Sequence, residues 1–477
     1  MENLINSIYN IIWSDALVYL CLITGIYFTV RMRFPQLTQI REMLRLLFSG
    51  KSSEKGISSF QAFSLAISGR VGTGNIAGVA TAIAMGGPGA VFWMWVIAFL
   101  GSASAVVEAT LGQMYKEVND GEYRGGPAFY IFKGLRSKTF AWTFAIVTIV
   151  STGFLLPGVQ SNSISSAMES AFQLSPTITG LAIAALLGII IIGGVKRIST
   201  VAEYVVPFMA GAYILMALVI IAINIGQVPS VLGLIIKSAF NLEATFGAVA
   251  GMAISWGVKR GIYSNEAGQG TAPHAAAAAE ISHPIKQGLV QGFSVYVDTL
   301  FVCTATALMI LFTGQYNVEN PNGGFIVQNL PATEMGPGFT QQAVSHHFPA
   351  FGDAFVAIAL AFFAFTTIMA YYYIAETNVS FVSRKKNKIW LVWILRVLII
   401  GSVYLGCIST AKNAWTLGDI GVGLMAWLNI IAILLLHKKV LTLYDDYCLQ
   451  QKDNKDPEFD NSNFNYPHMD LWTKKRS

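Results

Sequence analysis

The sequence predicts an all-α integral membrane protein with eleven transmembrane helices. Three observations carry that prediction. Only 12% of the 477 residues are charged and 54% are hydrophobic, whereas a soluble globular chain carries roughly 25% charge. Eleven apolar stretches approach or exceed the ~20 residues that a helix needs to cross a bilayer. The Lys and Arg residues, finally, fall in alternate loops. A soluble enzyme and a disordered chain are excluded by the composition. The net charge of +5 is sorted by loop rather than gathered in a patch, so no nucleic-acid partner is expected; the lipid bilayer is.

The first span, 11–31, has no basic residue before it and Arg31 and Arg33 after it. A cleaved signal peptide has the opposite charge order, so this helix is retained. The second, 57–85, is interrupted by glycines. The third to sixth, at 89–115, 140–168, 177–195 and 201–225, are continuous and rich in Ile, Leu, Val and Ala. The seventh, 239–272, is again interrupted. Continuous helices follow at 287–313, 352–383, 389–411 and 414–437. With these spans, 25 of the 31 Lys and Arg residues lie on one face, in the loops after spans one, three, five, seven and nine and in the tail. Only Lys237 and Lys412 lie on the other, where the long loop 314–351 has none; Arg70, Lys259, Arg260 and Arg396 lie inside spans. The N-terminus is therefore expected outside the cell membrane and the C-terminus in the cytoplasm.

The two interrupted spans correspond in position. The second contains Gly69, Gly72, Gly74 and Gly78 in SGRVGTGNIAG, and the seventh contains Gly257, Gly261, Gly268 and Gly270. Glycine at this density loosens a helix, and freed backbone survives in a bilayer only where it lines a cavity or binds something. Close helix packing through small residues is the competing account. With the first span set aside, the remaining ten divide five and five, each half opening on an interrupted helix and the two running in opposite directions. That is the pattern of an inverted repeat, whose paired breaks point to a transporter's central site. The organisation predicted is an N-terminal helix and loop (1–56), a first five-helix repeat (57–225), an outer connection (226–238), a second repeat (239–437) and a cytoplasmic tail (438–477). The sequence assigns no role to the tail's Phe459, Asp460, Phe464 and Tyr466, for which disorder is the simplest account.

A half-helix beginning in mid-membrane presents free N–H groups to an anion, so Thr73, Gly74 and Asn75 are candidates to hold a carboxylate. Carbonyls near Ser68 and Gly69, with the hydroxyls of Thr366 and Thr367, make a hard-oxygen set suited to sodium; back-bonding to their own helix is the alternative for the threonines. Gln160 needs a buried partner, either a substrate or another helix. Arg70, Glu108, Glu266 and Asp298 are charges within spans. They are functional candidates by position, with internal ion pairs such as Arg70 with Glu108, or proton carriage, as the two accounts.

Other chemistries find little support. The four cysteines show no CxxC spacing, and the His346–His347 pair in the outer loop lacks further ligands, so sodium is the only metal ion expected. GTGNIAG is not a dinucleotide fingerprint, no Walker lysine follows a glycine run, and neither HExxH nor GxSxG occurs. No organic cofactor and no enzymatic activity are expected. A channel would need a continuous polar stripe, and a sensor a larger soluble domain than the tail provides.

Four segments carry a family resemblance: SGRVGTGNIAGVATAIAMGGPGAVFWMW (68–95), RGGPAFYI (124–131), RGIYSNEAGQGTAPHAAA (260–277) and FAFTTIMAYYYIAETN (363–378). Nearly the whole chain resembles the alanine or glycine:cation symporters. The resemblance implies the leucine-transporter-type 5+5 inverted repeat plus one N-terminal helix, and sodium-coupled uptake of a small neutral amino acid by alternating access. It implies that Thr73 and Gly74 bind the substrate carboxylate and that Gln160 touches the amino acid. It further implies that an unwound segment starting near Trp256 and Gly257 closes the pocket, and that Thr366 and Thr367 bind sodium. Tyr371, which would cap the side-chain pocket, stands where other members carry Trp or Asn. Glutamine and serine therefore remain open beside alanine and glycine, as does proton in place of sodium.

Overall fold

The computed structural model describes residues 2–119, 121–384 and 389–473. The basic residues Lys385, Lys386, Lys388, Lys474, Lys475 and Arg476, counted above for orientation, lie outside the described residues. In chain order the principal helices are α1 (Leu4–Arg31), α2 (Ser59–Arg70), α3 (Gly74–Gly86), α4 (Gly89–Met114), α5 (Lys138–Phe172), α6 (Pro176–Ile191), α7 (Lys196–Ile223), α8 (Ile225–Ala239), α9 (Ala250–Asn265), α10 (Ala272–Ala278), α11 (Pro284–Thr313), α12 (Pro337–His347), α13 (Gly352–Val382), α14 (Ile389–Ile408) and α15 (Ala411–Lys452). Among the described residues eight are long and apolar enough to cross a membrane: α1, α4, α5, α7, α11, α13, α14 and α15.

Local chemistry sets the ends that matter. Ser58 and Gln61 form a reciprocal capping box that starts α2, each side chain meeting the other's backbone N–H at 3.1 Å. The helix stops after Arg70, where Val71 turns extended (φ −75°, ψ 91°), and α3 begins with a π-turn over Gly74–Gly78. The two broken helices lie side by side and antiparallel: α2 packs on α10, and α3 on α9. Their ends on the basic side are tied by backbone, Ile57 N donating to Ala278 O and Glu280 N to Ile57 O, both at 2.9 Å. Around this pair, α4 packs on α9 and α11, α7 and α13 pack on α2, and α5 packs on α13 and α14.

The second break differs from expectation. The helix runs unbroken from Ala250 to Asn265, preceded by a 3-10 turn over Ala244–Val249. Gly257 and Gly261 sit inside it. A Cβ at 257 would lie 2.5 Å from the Ala90 carbonyl oxygen, and one at 261 would lie 2.3 Å from Ile97. Trp256 and Gly257 therefore do not begin an unwound segment; the glycines let α9 press against α4. The chain unwinds at 266–271, where Glu266, Gly268 and Gly270 take φ of 55°, 81° and 87°.

The outer loop 314–351 is structured, with a hairpin of β3 (Asn317–Glu319) and β4 (Phe325–Gln328) and the helix α12. A smaller hairpin, β1 (Glu117–Asn119) with β2 (Glu122–Arg124), follows α4. Helix α15 continues to Lys452, 42 residues in all, and the described part of the tail beyond it, to Thr473, packs against the helices rather than being disordered. Phe459, Met469 and Trp472 are buried. Phe459 N donates to Ser282 O and Trp472 Nε1 to Gln113 O, both at 2.9 Å. Asp456 pairs with Lys286 at 2.8 Å, which holds its carboxyl below the usual range.

Lys116, just past α4, is buried under this tail. Its Nζ donates to Ala279 O at 2.8 Å and lies 4.0 Å from the Tyr123 ring centre. Burial pushes its pKa down from 10.5 to about 7. Between those two values the unfolded chain holds a proton that the folded chain has released, so stability rises with pH across that window. The melting temperature of purified protein in detergent is expected to climb from pH 7 to pH 10, and Lys116→Met to flatten the climb. An unchanged slope in the variant would assign the effect to another group.

Candidate functional site

The first break exposes backbone at mid-depth, and the structure shows where each group goes. Gly72 N donates to Asn75 Oδ1 at 2.8 Å, and Thr73 N donates to Gln160 Oε1 at 3.0 Å. Gln160 on α5 thus stands in front of the N–H that sequence reasoning offered to a carboxylate. A side chain at Gly72 has no room: its Cβ would lie 2.4 Å from Thr367 Oγ1 and 2.9 Å from Gln160 Oε1. Gly74 faces Ser264 and Tyr263 of α9. Asn75 Nδ2 reaches Asp298 Oδ1 at 2.6 Å, so this side chain braces the break.

Facing the end of α2, the Thr367 hydroxyl lies 2.8 Å from Ser68 O, 3.4 Å from Val71 O and 3.0 Å from Phe363 O. One hydroxyl carries one proton and cannot satisfy three carbonyls at once. Phe363 O also accepts from Thr366, so the shortage of donors falls on Ser68 O and Val71 O; together with Phe363 O and the Thr367 hydroxyl they make a cluster of four buried oxygens, the chemistry that suits a small hard cation. Thr366 is not part of it. Its hydroxyl bonds Phe363 O at 2.9 Å and turns toward Met209 sulfur at 3.8 Å. Val71 joins the set unforeseen, while no contact of the cluster runs through Gly69.

The three buried carboxylates at the breaks have separate tasks. Glu108 braces the second break: it accepts from Gly268 N at 3.2 Å, Gly270 N at 3.1 Å and Asn429 Nδ2 at 2.7 Å. Asp298, in a π-turn of α11 (Tyr296–Cys303), staples both broken helices, accepting from Asn75, from Thr299 at 2.6 Å and from Ser264 at 2.9 Å. Glu266 accepts from Thr271 at 2.7 Å on one oxygen only. Arg70 does not pair with Glu108. It donates to Gln291 O at 3.0 Å and to the Ser294 hydroxyl instead, because Glu108 is already engaged by backbone amides. Tyr371 is buried with its hydroxyl toward Glu266. Among the described residues no three His, Cys, Asp or Glu side chains converge as a metal cluster.

Above this centre a vestibule of about 870 Å³ opens between α3, α9, α15 and the outer loop, lined by Trp256, Arg260, Phe339, Trp415 and Asp419 among others. On the vestibule wall, Arg260 grips Asp419 with two hydrogen bonds of 3.0 and 2.7 Å. Its guanidinium lies 4.6 Å from the Trp415 ring centre and 5.5 Å from that of Tyr263. Tyr263 in turn touches Gly74, so the pair lies between the vestibule and the first break. Trp256 belongs to this vestibule rather than to the break. Sequence reasoning placed Arg260 inside a span without assigning it a partner, and did not single out Asp419, although its charge in the eleventh span was the available signal.

Comparison with known proteins places these motifs. Residues 1–461 match the model of the sodium:alanine symporter family. The chain is 57% identical to the carrier protein YrbD of Bacillus subtilis (strain 168), over 100% of this chain and 98% of that one. It is 51% identical to the sodium/proton-dependent alanine carrier protein of Bacillus sp. (strain PS3), over 90% and 97%. A manganese transporter from Eremococcus coleocola shares the fold at 12% identity, with a TM-score of 0.52 over 84% of this chain and 92% of that one.

Proposed function

Because the chain belongs to the sodium:alanine symporter family, we propose that it takes up a small neutral amino acid, alanine or glycine, together with sodium. It is a membrane transporter and not an enzyme. The observation that supports the reading is the pair of adjacent half-sites at the first break: the Thr73 amide under Gln160 and the oxygen cluster around Thr367. In this reading the substrate carboxylate displaces Gln160 Oε1 from the Thr73 amide and takes the neighbouring Gly74 amide as well, while Gln160 turns to the amino acid. Sodium takes its oxygens from Ser68, Val71, Phe363 and Thr367.

The architecture of the proposal is eleven spans: the eight long helices, the two broken ones and the short apolar α6. The two five-helix halves relate as inverted repeats, a relation supported by the antiparallel pairing of the breaks. The N-terminus lies outside and the basic face in the cytoplasm. The halves rock about the breaks, exposing the site to each side in turn. One sodium crossing 100 mV supplies about 2.3 kcal/mol, and a tenfold gradient adds roughly 1.4 kcal/mol. Together they sustain a several-hundredfold amino-acid gradient.

The test is uptake of labelled alanine into proteoliposomes, under an inward sodium gradient at clamped pH and then under a proton gradient without sodium. Accumulation is expected with sodium alone. Uptake driven by protons alone would overturn the sodium reading, a second reading favoured by the sodium/proton-dependent relative. If neither gradient drives alanine, glutamine and serine are assayed next, and failure of all three overturns the substrate class.

A further inference from the structure

Of the three buried carboxylates at the breaks, Glu108 and Asp298 each have both oxygens engaged by close donors, whereas Glu266 Oε1 has no donor at close hydrogen-bond distance, the Tyr371 hydroxyl only facing the carboxylate. An unpaired carboxylate oxygen away from water is costly. The backbone repeats the signal, because Glu266 sits at φ 55°, the left-handed region where glycine or asparagine is the comfortable choice. Backbone strain together with an under-satisfied buried side chain is a combination that gathers at functional sites.

Glu266 also lines a cavity. It is a small space of about 10 Å³ bounded by Leu65, Ala66 and Gly69 of α2, Ala275 of α10, and Tyr373 and Ile374 of α13. That is about the room one water-sized particle needs. Its position is informative. Leu65 and Ala66 precede Ser68 on α2, Ile374 follows Thr367 by two turns on α13, and α10 ends at Ala278, where it is tied to Ile57. Apart from Gly69, which stands level with the break, the α2 and α13 walls thus lie on the basic side of the Thr367 oxygens. Glu266 Oε2 would stand 3.3 Å from a Cβ placed on Gly69, the residue between Ser68 and Arg70. The carboxylate therefore sits against Gly69, next in sequence to Ser68 of the oxygen cluster, and lines the space behind it. The nearest charges are Arg70, which bonds α11 and leaves Nε and Nη2 free, and Asp298. With Glu108, the group holds three carboxylates to one guanidinium, a field that favours a cation.

We propose that Glu266 and this cavity form a second cation station, where sodium rests after leaving the Thr367 cluster on its way to the basic face. This rests on the sodium reading above and adds the exit route to it. The Glu266 carboxylate, whose Oε2 faces Gly69, would be the first ligand met by the departing ion, replacing a carbonyl with a full negative charge. Gly69 keeps the passage open by carrying no side chain between the two stations.

The test uses the full chain in proteoliposomes and compares two reactions. Net sodium-driven alanine uptake needs sodium to leave, whereas alanine–alanine exchange at equal sodium on both sides does not. Glu266→Gln is expected to lower net uptake at least tenfold while exchange stays within about twofold. Ala66→Val, which fills the cavity without touching the carboxylate, is expected to give the same split and stands in if Glu266→Gln fails to fold. Equal net uptake in both variants and the unaltered chain overturns the station. So does a parallel loss of exchange and thermal stability, which would make Glu266 a structural brace. If the unaltered chain moves no alanine, the proposed function fails separately, and sodium-22 entry into the same vesicles decides the station: lower entry in Glu266→Gln supports it, equal entry overturns it.

Discussion

Thr367→Val is expected to weaken the apparent affinity for sodium by 10- to 100-fold, with Thr366→Val close to the unaltered protein. Valine keeps the shape of threonine and removes the hydroxyl, so packing on α13 is preserved. What disappears is the oxygen that meets Ser68 O and Val71 O at 2.8 and 3.4 Å. A tenfold loss corresponds to about 1.4 kcal/mol and a hundredfold loss to about 2.8 kcal/mol, the range expected for one lost ligand among four. Thr366 bonds only its own helix and the Met209 sulfur, so its hydroxyl has no ion to lose. The sodium dependence of alanine uptake, measured side by side, reads the difference. Equal effects at both positions would place the ion elsewhere.

The second large effect is expected at the vestibule ion pair. Arg260 and Asp419 are 3% and 6% exposed and bonded through both guanidinium arms. Breaking a buried pair from one side leaves an uncompensated charge and costs about 3–5 kcal/mol, whereas replacing both partners with apolar groups is often neutral. Asp419→Leu alone is therefore expected to lower the melting temperature sharply and reduce the yield of folded protein. Arg260→Met together with Asp419→Leu should recover most of the loss. The three aromatic rings around Arg260 already provide an apolar wall for methionine. Equal damage in the single and double variants would mean that the two residues act through other contacts.

The first break was legible because SGRVGTGNIAG packs its glycines around one point, and the chain does open at Val71 and Gly72. The second was misplaced because glycine serves two purposes that look alike in a sequence. At 257 and 261 it gives clearance to α4, and at 268 and 270 it supplies positive φ. The residue that begins the unwinding, Glu266, is not a glycine at all. Thr366 and Thr367 could not be told apart for a different reason. Consecutive residues on a helix point about 100° apart, and α13 is apolar on every side, so no stripe says which face meets the break. The Arg260–Asp419 pair spans 159 residues of sequence, and only folding reveals that α9 and α15 bring those charges together. The ordered tail was hidden because its aromatic residues find their partners only after α15 has carried the chain well past the last apolar turn.

That helix has a mechanical meaning. At about 1.5 Å per residue, 42 residues make a rod of roughly 60 Å, twice the thickness of the hydrocarbon core. No proline interrupts it. Near one end it carries Asp419 against Arg260, and near the other Asp446 and Tyr447 against His283. A stiff beam gripped at both ends swings as a unit: a tilt of a few degrees at the vestibule sweeps the far tip through several ångströms, and the tail rides on that tip. In the proposed transport cycle, opening on one side of the membrane and rearrangement on the other would be strokes of a single lever rather than two events in need of a messenger.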